Sequence, residues 1–137
     1  MTELADTSAL VLARRDPEVG RVMARLIEAG DVATCEIVEL EYLMGARSAT
    51  DYAALEEAFA GFLRLPTEPA DWVQARSVHR ALASVGAGHQ RSVKIPDLLI
   101  AAVALRHRVG VLHYDEDYDR ISVITGQPTR WVVSRGA

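Results

Sequence analysis

With 137 residues, half of them apolar and a quarter charged, the chain has ordinary globular composition, which excludes a disordered segment and predicts a single domain over residues 1–137. The longest uninterrupted apolar run, Leu98 to Leu105, has eight residues, against the ~20 that a membrane span needs. The opening Met1-Thr2-Glu3-Leu4-Ala5-Asp6 lacks the basic start and apolar run of a secretory leader, so the expectation is a cytoplasmic protein with no membrane partner. A formal net charge of −4 disfavours nucleic-acid binding by bulk attraction. The basic residues, however, are fourteen arginines and one lysine, and guanidinium forks suit phosphate when they are clustered. The single cysteine, Cys35, excludes an intramolecular disulfide and reads as a small buried hydrophobe.

In chain order, short apolar runs alternate with helical patterns. Glu3 to Asp6 is a strand candidate, and Asp6 or Thr7 can cap the helix that follows. Asp16-Pro17-Glu18 starts a second helix with a cap, a proline and an acid in the first turn, and Gly30 ends it after Ala29. Asp31 to Cys35 reads as a strand, Glu36 to about Ala46 as a helix, and Thr50-Asp51 opens another helix to about Leu63. Leu65-Pro66 closes a third short strand, Pro69 to about Val85 is helical, and the glycine-flanked stretch Gly86 to Ser92 reads as a loop. Pro96 starts a very apolar helix ending near Arg108; Val111 to His113 is a strand, Glu116 to Ile124 a helix and Arg130 to Val133 a last strand. This alternation predicts an α/β fold with a short, mainly parallel central sheet covered on both faces. Ligands in such folds bind beyond the carboxyl ends of the strands.

Four acidic positions then stand out. Asp6 follows the first strand, where it either caps the next helix or faces a ligand. On the helix from Glu36, the apolar stripe is predicted as Ile37, Leu40 and Met44, with Glu41 at its edge and Glu36 and Glu39 projecting into solvent. A carboxylate turned toward a core needs a partner or a cation. Asp97 lies in the first turn of a helix apolar all round, hence buried, although an acid also suits the positive end of a helix dipole. Asp115-Glu116-Asp117-Tyr118-Asp119 follows the strand ending at His113; it fails as a calcium loop because Arg120 holds the glycine position and Gly126 that of the closing glutamate. Carboxylates crowded at one rim of a sheet repel one another, and a divalent cation removes the conflict. Oxygen donors without a His or Cys cluster suit Mg²⁺ or Mn²⁺ and disfavour zinc.

These residues resemble a known family along essentially the whole chain. Leu4-Ala5-Asp6-Thr7-Ser8-Ala9-Leu10 is similar to the opening motif of PIN-domain ribonuclease toxins of the VapC type, the toxin half of VapBC toxin–antitoxin pairs. Glu41-Tyr42-Leu43-Met44-Gly45-Ala46, Ile95-Pro96-Asp97-Leu98-Leu99-Ile100-Ala101-Ala102 and Leu112-His113-Tyr114-Asp115-Glu116-Asp117-Tyr118 resemble the second, third and fourth acidic motifs, in the same order. The resemblance implies a PIN-like three-layer α/β/α fold and a Mg²⁺- or Mn²⁺-dependent endoribonuclease that inhibits translation and growth. It also implies a frequent homodimer, neutralised by a cognate VapB-type antitoxin whose tail occupies the site. Carried over by position, Asp6 and Asp97 hold the principal metal, Glu41 and Asp115 complete the acidic cluster, and Asp117 assists. His113 departs from the Thr or Ser of many relatives; it and Ser8 are candidates for support of the ligating carboxylates.

Beyond the acids, His89, Arg91 and Lys94 form a basic, glycine-flanked stretch before Asp97 that is expected to contact RNA phosphates, unless it is an ordinary solvated loop. Tyr52, Leu55, Phe59, Phe62 and Leu63 recur at helical spacing; they belong to the core or, with the helix from Pro17, to a groove for an antitoxin helix or a second protomer. Trp72 and Trp131 are expected to pack internally. The competing functions are a catalytically silent PIN-like module that binds RNA or antitoxin, and a metal-dependent phosphatase. The second lacks a glycine-rich phosphate cradle, and a pure binder has no use for a repelling carboxylate cluster.

Overall fold

The computed structural model describes residues 1–136 and has a five-stranded sheet in the order β3-β2-β1-β4-β5, every pairing parallel. The strands are β1 (Glu3–Ala5), β2 (Val32–Thr34), β3 (Leu63–Arg64), β4 (Gly110–His113) and β5 (Thr129–Trp131). The helices are α1 (Thr7–Arg15), α2 (Pro17–Ala29), α3 (Glu36–Leu43), α4 (Ala49–Glu57), α5 (Pro69–Val85), α6 (His89–Ser92), α7 (Ile95–Arg106) and α8 (Asp117–Thr125). Helices α1 to α4 pack among themselves, as do α5 to α8, giving a layer on each face of the sheet. Right-handed crossovers account for this: the chain moves outward from β1 through β2 to β3, then returns across the sheet to β4 and continues to β5. The order therefore reverses between β1 and β4, and the crevice at that switch point is where a doubly wound sheet offers a site.

Local signals place most of the boundaries. Asp16 caps α2 by accepting from Glu18 N at 2.9 Å, Pro17 takes the first helical position, and Gly30 ends the helix at φ 71°, a left-handed conformation that favours glycine. Helix α7 is buried all round, with Leu98 to Ala104 each at most 5% exposed, as its unbroken apolar run predicts. Register positions the loops that follow the strands: Leu4 pairs with Ala33 and Val111, and Ala5 with Leu112. One further ladder bond, Asp6 N to Leu112 O at 2.8 Å, fixes where Asp6 leaves the sheet.

Several elements differ from the sequence expectations. The helix predicted to reach Leu63 stops at Glu57, and the third strand, expected to close at Leu65-Pro66, is Leu63–Arg64. Pairing decides this: Leu63 and Arg64 align with Ala33 and Thr34, and Leu65 N donates to Thr34 O at 2.9 Å. The predicted loop Gly86 to Ser92 contains the single-turn helix α6, which Gly88 can start because it adopts φ 71°. Trp72 is 59% exposed on α5 and not an internal packing residue, whereas Trp131 is half-buried against His113 and Tyr114. Cys35 is buried as expected, and burial pushes its thiol up to about 11, so it stays protonated at neutral pH.

The α5–α7 contact carries a pair that periodicity did not reveal. Asp71, 1% exposed, accepts from Arg106 Nε at 2.8 Å and Nη2 at 3.0 Å, and its Oδ2 accepts from Glu68 N at 2.8 Å in a capping box. Burial works to raise the Asp71 carboxyl, but these bonds outweigh it and hold it below the ordinary carboxylate range. A carboxylate depressed in the folded state contributes stability that is complete above its unfolded value, near 4, and is lost as pH falls through the lower folded value. Asp71→Asn is expected to cost about 3 kcal/mol at pH 7 and to remove that part of the acid sensitivity. Urea unfolding of both proteins at pH 7 and at about pH 3 checks it; equal costs at the two pH values would refute the charge-pair account.

Candidate metal centre

The carboxyl ends of β1 and β4 deliver Asp6 and Asp115 to the same rim, and α3 and α7, which touch there, add Glu41 and Asp97. Ligand oxygens of Asp6, Glu41 and Asp97 lie within 4.8 Å of one another, as do those of Asp97, Asp115 and Asp117. The structure thus brings together all five acids that the motifs single out.

Asp6 combines the two roles left open by sequence. It caps α1, accepting at Oδ2 from Ser8 N at 3.0 Å and from Ser8 Oγ, while Oδ1 accepts from Tyr118 OH at 2.6 Å. Ser8 Oγ in turn accepts from Tyr114 N at 2.9 Å, which ties the turn after β1 to the turn after β4. Tyr118 was missed in the sequence beyond its place as the aromatic after Asp-x-Asp. It is fully buried, its hydroxyl also lies 3.3 Å from Asp97 Oδ1, and burial followed by the charges of Asp6 and Asp97 holds its proton firmly on the phenol. The ring is therefore a permanent donor to the acids. An aromatic immediately after the second aspartate of Asp115-Glu116-Asp117, at a helix start, is the sequence signal that pointed to it.

Glu41 reaches the site for a reason other than the predicted one. The exposed arc of α3 is Glu36, Leu40 and Met44, the last two 64% and 82% exposed, so the predicted apolar stripe was wrong in phase. Glu39, expected in solvent, is buried and pairs with Arg64 Nη2 at 2.6 Å. The arc from Ile37 through Val38 to Leu43 faces inward because α3 contacts α1 and α7 on that side, and Glu41 lies within it. Its Oε1 accepts from Thr7 Oγ1 at 3.0 Å; burial, opposed by that bond and reinforced by Asp6, raises its carboxyl above the ordinary range.

Asp97 is 2% exposed, and its Oδ2 has no hydrogen-bond partner, only an ion-pair contact with Lys94 Nζ at 3.3 Å. Burial, then the charge of Asp6, pushes its carboxyl well above the ordinary range. Asp117 goes the other way: burial works against its charge, but its setting beside Asp97 and the bonds from Lys94 N at 3.0 Å and Nζ at 2.9 Å hold its carboxyl below the ordinary range. Asp115, half-buried, accepts from Asp117 N at 2.9 Å and from Lys94 Nζ at 2.7 Å.

The remaining candidates separate clearly. His113 is fully buried, and its Nδ1 accepts from Asp115 N at 3.2 Å, so the residue that replaces a hydroxyl supports the Asp115 turn. Burial lowers its affinity for a proton and keeps it neutral. His89 is half-buried and Arg91 exposed on α6, with neither bonded to the acids, whereas Lys94 turns its ammonium into them. Arg120 pairs with Asp117 and Glu116.

An all-oxygen donor set, an orphaned buried carboxylate oxygen and two raised carboxyls fit a hard divalent cation, because such an ion supplies the positive charge the buried acids lack.

Comparison with known proteins agrees with this reading. The PIN domain model matches residues 4–124. The chain is 47% identical over 136 residues to Ribonuclease VapC18 of Mycobacterium tuberculosis, covering 99% of this chain and 98% of that protein. It is 42% identical over 134 residues to Ribonuclease VapC21 of the same species, covering 97% and 95%. Among solved structures, the DNA-bound VapBC of Salmonella typhimurium superposes with a TM-score of 0.77 at 17% identity, covering 97% of this chain and all of the matched one. At that identity the likeness is one of fold, and it is the expected PIN-like α/β/α arrangement.

Proposed function

This chain belongs to the PIN-domain family, and from that premise we propose that it is a metal-dependent endoribonuclease toxin of the VapC type, a single nuclease domain over residues 1–137. It cleaves RNA phosphodiester bonds, inhibits translation and growth in the cytoplasm, and is neutralised by a cognate VapB-type antitoxin. The observation that carries the reading is the convergence of Asp6, Glu41 and Asp97 on one point, two of them buried and one with an unbonded oxygen. No helix among the described residues is long and apolar enough to cross a membrane, which is compatible with that location.

Asp6 and Asp97 are the proposed principal ligands, with Glu41 completing the cluster and Asp115 and Asp117 on the other side of Asp97. Magnesium, with manganese able to replace it, supplies an activated water and neutralises phosphate charge when bound. Ser8 and Tyr118 orient Asp6, Thr7 orients Glu41, and His113 holds the turn that presents Asp115. His89, Arg91 and Lys94 are proposed to meet the RNA backbone beside this centre. The apolar groove lined by Leu10, Met23, Ile27, Tyr42, Phe59 and Phe62 supports a docking place for an antitoxin helix, and the exposed apolar residues of α3 and α5 support a homodimer.

The experiment is cleavage of total cellular RNA by purified protein with Mg²⁺, with Mn²⁺, with chelator and with a VapB-type antitoxin. Discrete fragments that require the metal and vanish with antitoxin are expected. Intact RNA in the presence of folded, antitoxin-free protein and metal would leave a silent binding module as the better reading.

A further inference from the structure

We propose that the ammonium of Lys94 is a built-in cation that fills one half of the acidic cluster, so that the site takes a single divalent ion rather than two; this rests on the metal-dependent reading above. The acids form two triads that share Asp97: Asp6, Glu41 and Asp97 on one side, Asp97, Asp115 and Asp117 on the other. By spacing alone each triad suits an ion, and paired ions 3.5–4 Å apart are a common arrangement in phosphodiester chemistry, as a rough guide. The partners of the two triads differ.

The second triad already holds a cation. Lys94 Nζ lies 2.7 Å from Asp115 Oδ2, 2.9 Å from Asp117 Oδ2 and 3.3 Å from Asp97 Oδ2. Lys94 N also donates to Asp117 Oδ2 at 3.0 Å, and Arg120 Nη1 lies 3.2 Å from Asp117 Oδ1. An ammonium is a compact charge with three donors; here two of its bonds go to Asp115 and Asp117, while Asp97 lies within ion-pair range. Among the described residues the first triad receives only neutral donors, from Thr7, Ser8 and Tyr118, and its sole cationic contact is the one Asp97 shares. Asp97 Oδ2, buried and without a hydrogen bond, is the unused capacity at the junction.

The placement of Lys94 follows from the chain. It is the cap residue of α7, its carbonyl accepts from Asp97 N and Leu98 N, and Pro96 stiffens the first turn, so Lys94 and Asp97 are fixed to one helix start. A cation at that end faces the unfavourable pole of the helix dipole; the carboxylates, not the helix, therefore hold it there. A second divalent ion must either expel this tethered ammonium or sit against it. The side chain is 55% exposed, so the same charge is open to a phosphate oxygen approaching from solvent, where a second ion would otherwise serve.

The test is Mn²⁺ titration of metal-stripped, full-length protein, with free Mn²⁺ counted by electron paramagnetic resonance and bound ion by calorimetry. Wild type is expected to bind one Mn²⁺ per chain, and Lys94→Met to bind two. Lys94→Gln, which keeps a polar end without charge, is the second variant should Lys94→Met not fold, with the same expected gain. Two ions in wild type, or one in a folded Lys94 variant, overturns the inference and leaves the metal reading in place. No bound ion in wild type overturns both.

Discussion

Asp97→Asn is expected to lower the rate of RNA cleavage by about 10³-fold or more while leaving the metal-free protein at least as stable as wild type. The two effects have one origin. Asp97 is buried at the start of α7, close to Asp6, Asp115 and Asp117, with one oxygen unbonded. Its carboxyl is raised by that burial and by Asp6. An acid whose folded value is raised keeps its proton in the folded state at pH values where the unfolded chain has lost it. Its contribution to stability therefore declines as pH rises from about 4 toward the raised folded value. Asn removes this penalty, and with it the charge that a divalent ion requires.

Urea unfolding between about pH 4 and 8, with and without Mg²⁺, tests the stability half of this expectation. Wild type without metal loses stability across the window, added Mg²⁺ restores it by binding the folded state, and Asp97→Asn shows a smaller loss with pH, the part due to Glu41 remaining, and a smaller gain from metal. Undiminished cleavage by the variant would mean that the catalytic centre lies elsewhere. A large loss of stability would mean that Asp97 serves the fold rather than the site.

Tyr118→Phe is expected to weaken Mn²⁺ binding by roughly 10- to 100-fold, the scale of lost support to a ligating residue, and to reduce cleavage with it. The phenol donates to Asp6 Oδ1 at 2.6 Å inside a fully buried environment, so Phe leaves that oxygen without its donor and free to turn. The ring itself keeps its packing against His113, at 5.0 Å between centroids. Loss of a hydrogen bond to a charged acceptor costs about 2 kcal/mol, small enough for the variant to fold. Calorimetric Mn²⁺ titration beside circular dichroism checks it; wild-type affinity in the folded variant would reduce Tyr118 to a packing residue.

How much of this was legible in the sequence depends on the range of the interaction concerned. Helix α2 was read to the residue because Asp16, Pro17 and Gly30 act within one turn of where they stand. Helix α5 was read equally well from Pro69. The phase of α3 was not, because its apolar residues occupy more than one face and only the neighbouring helices determine which face turns inward. Glu41 nonetheless lies beside Asp6 and Asp97, while Glu39 was misplaced because its partner, Arg64, comes from an edge strand 25 residues away. The short strand β3 was expected, but its bounds were not legible for a similar reason: two residues carry no period, and only pairing with β2 defines them.

The sequence by itself determined the alternation of strands and helices, the caps that bound them, and the four acidic motifs in order. Each of these is written in residues a few positions apart, where backbone geometry and side-chain chemistry act directly. The tertiary structure alone decided the proton donor to Asp6, which comes from Tyr118 across 112 positions, the burial of Asp71 against Arg106, and the direction of the Lys94 ammonium. Such contacts arise only when the crossovers fold the two helical layers against one sheet, because that packing brings distant side chains within bonding distance and removes the water that would otherwise satisfy them.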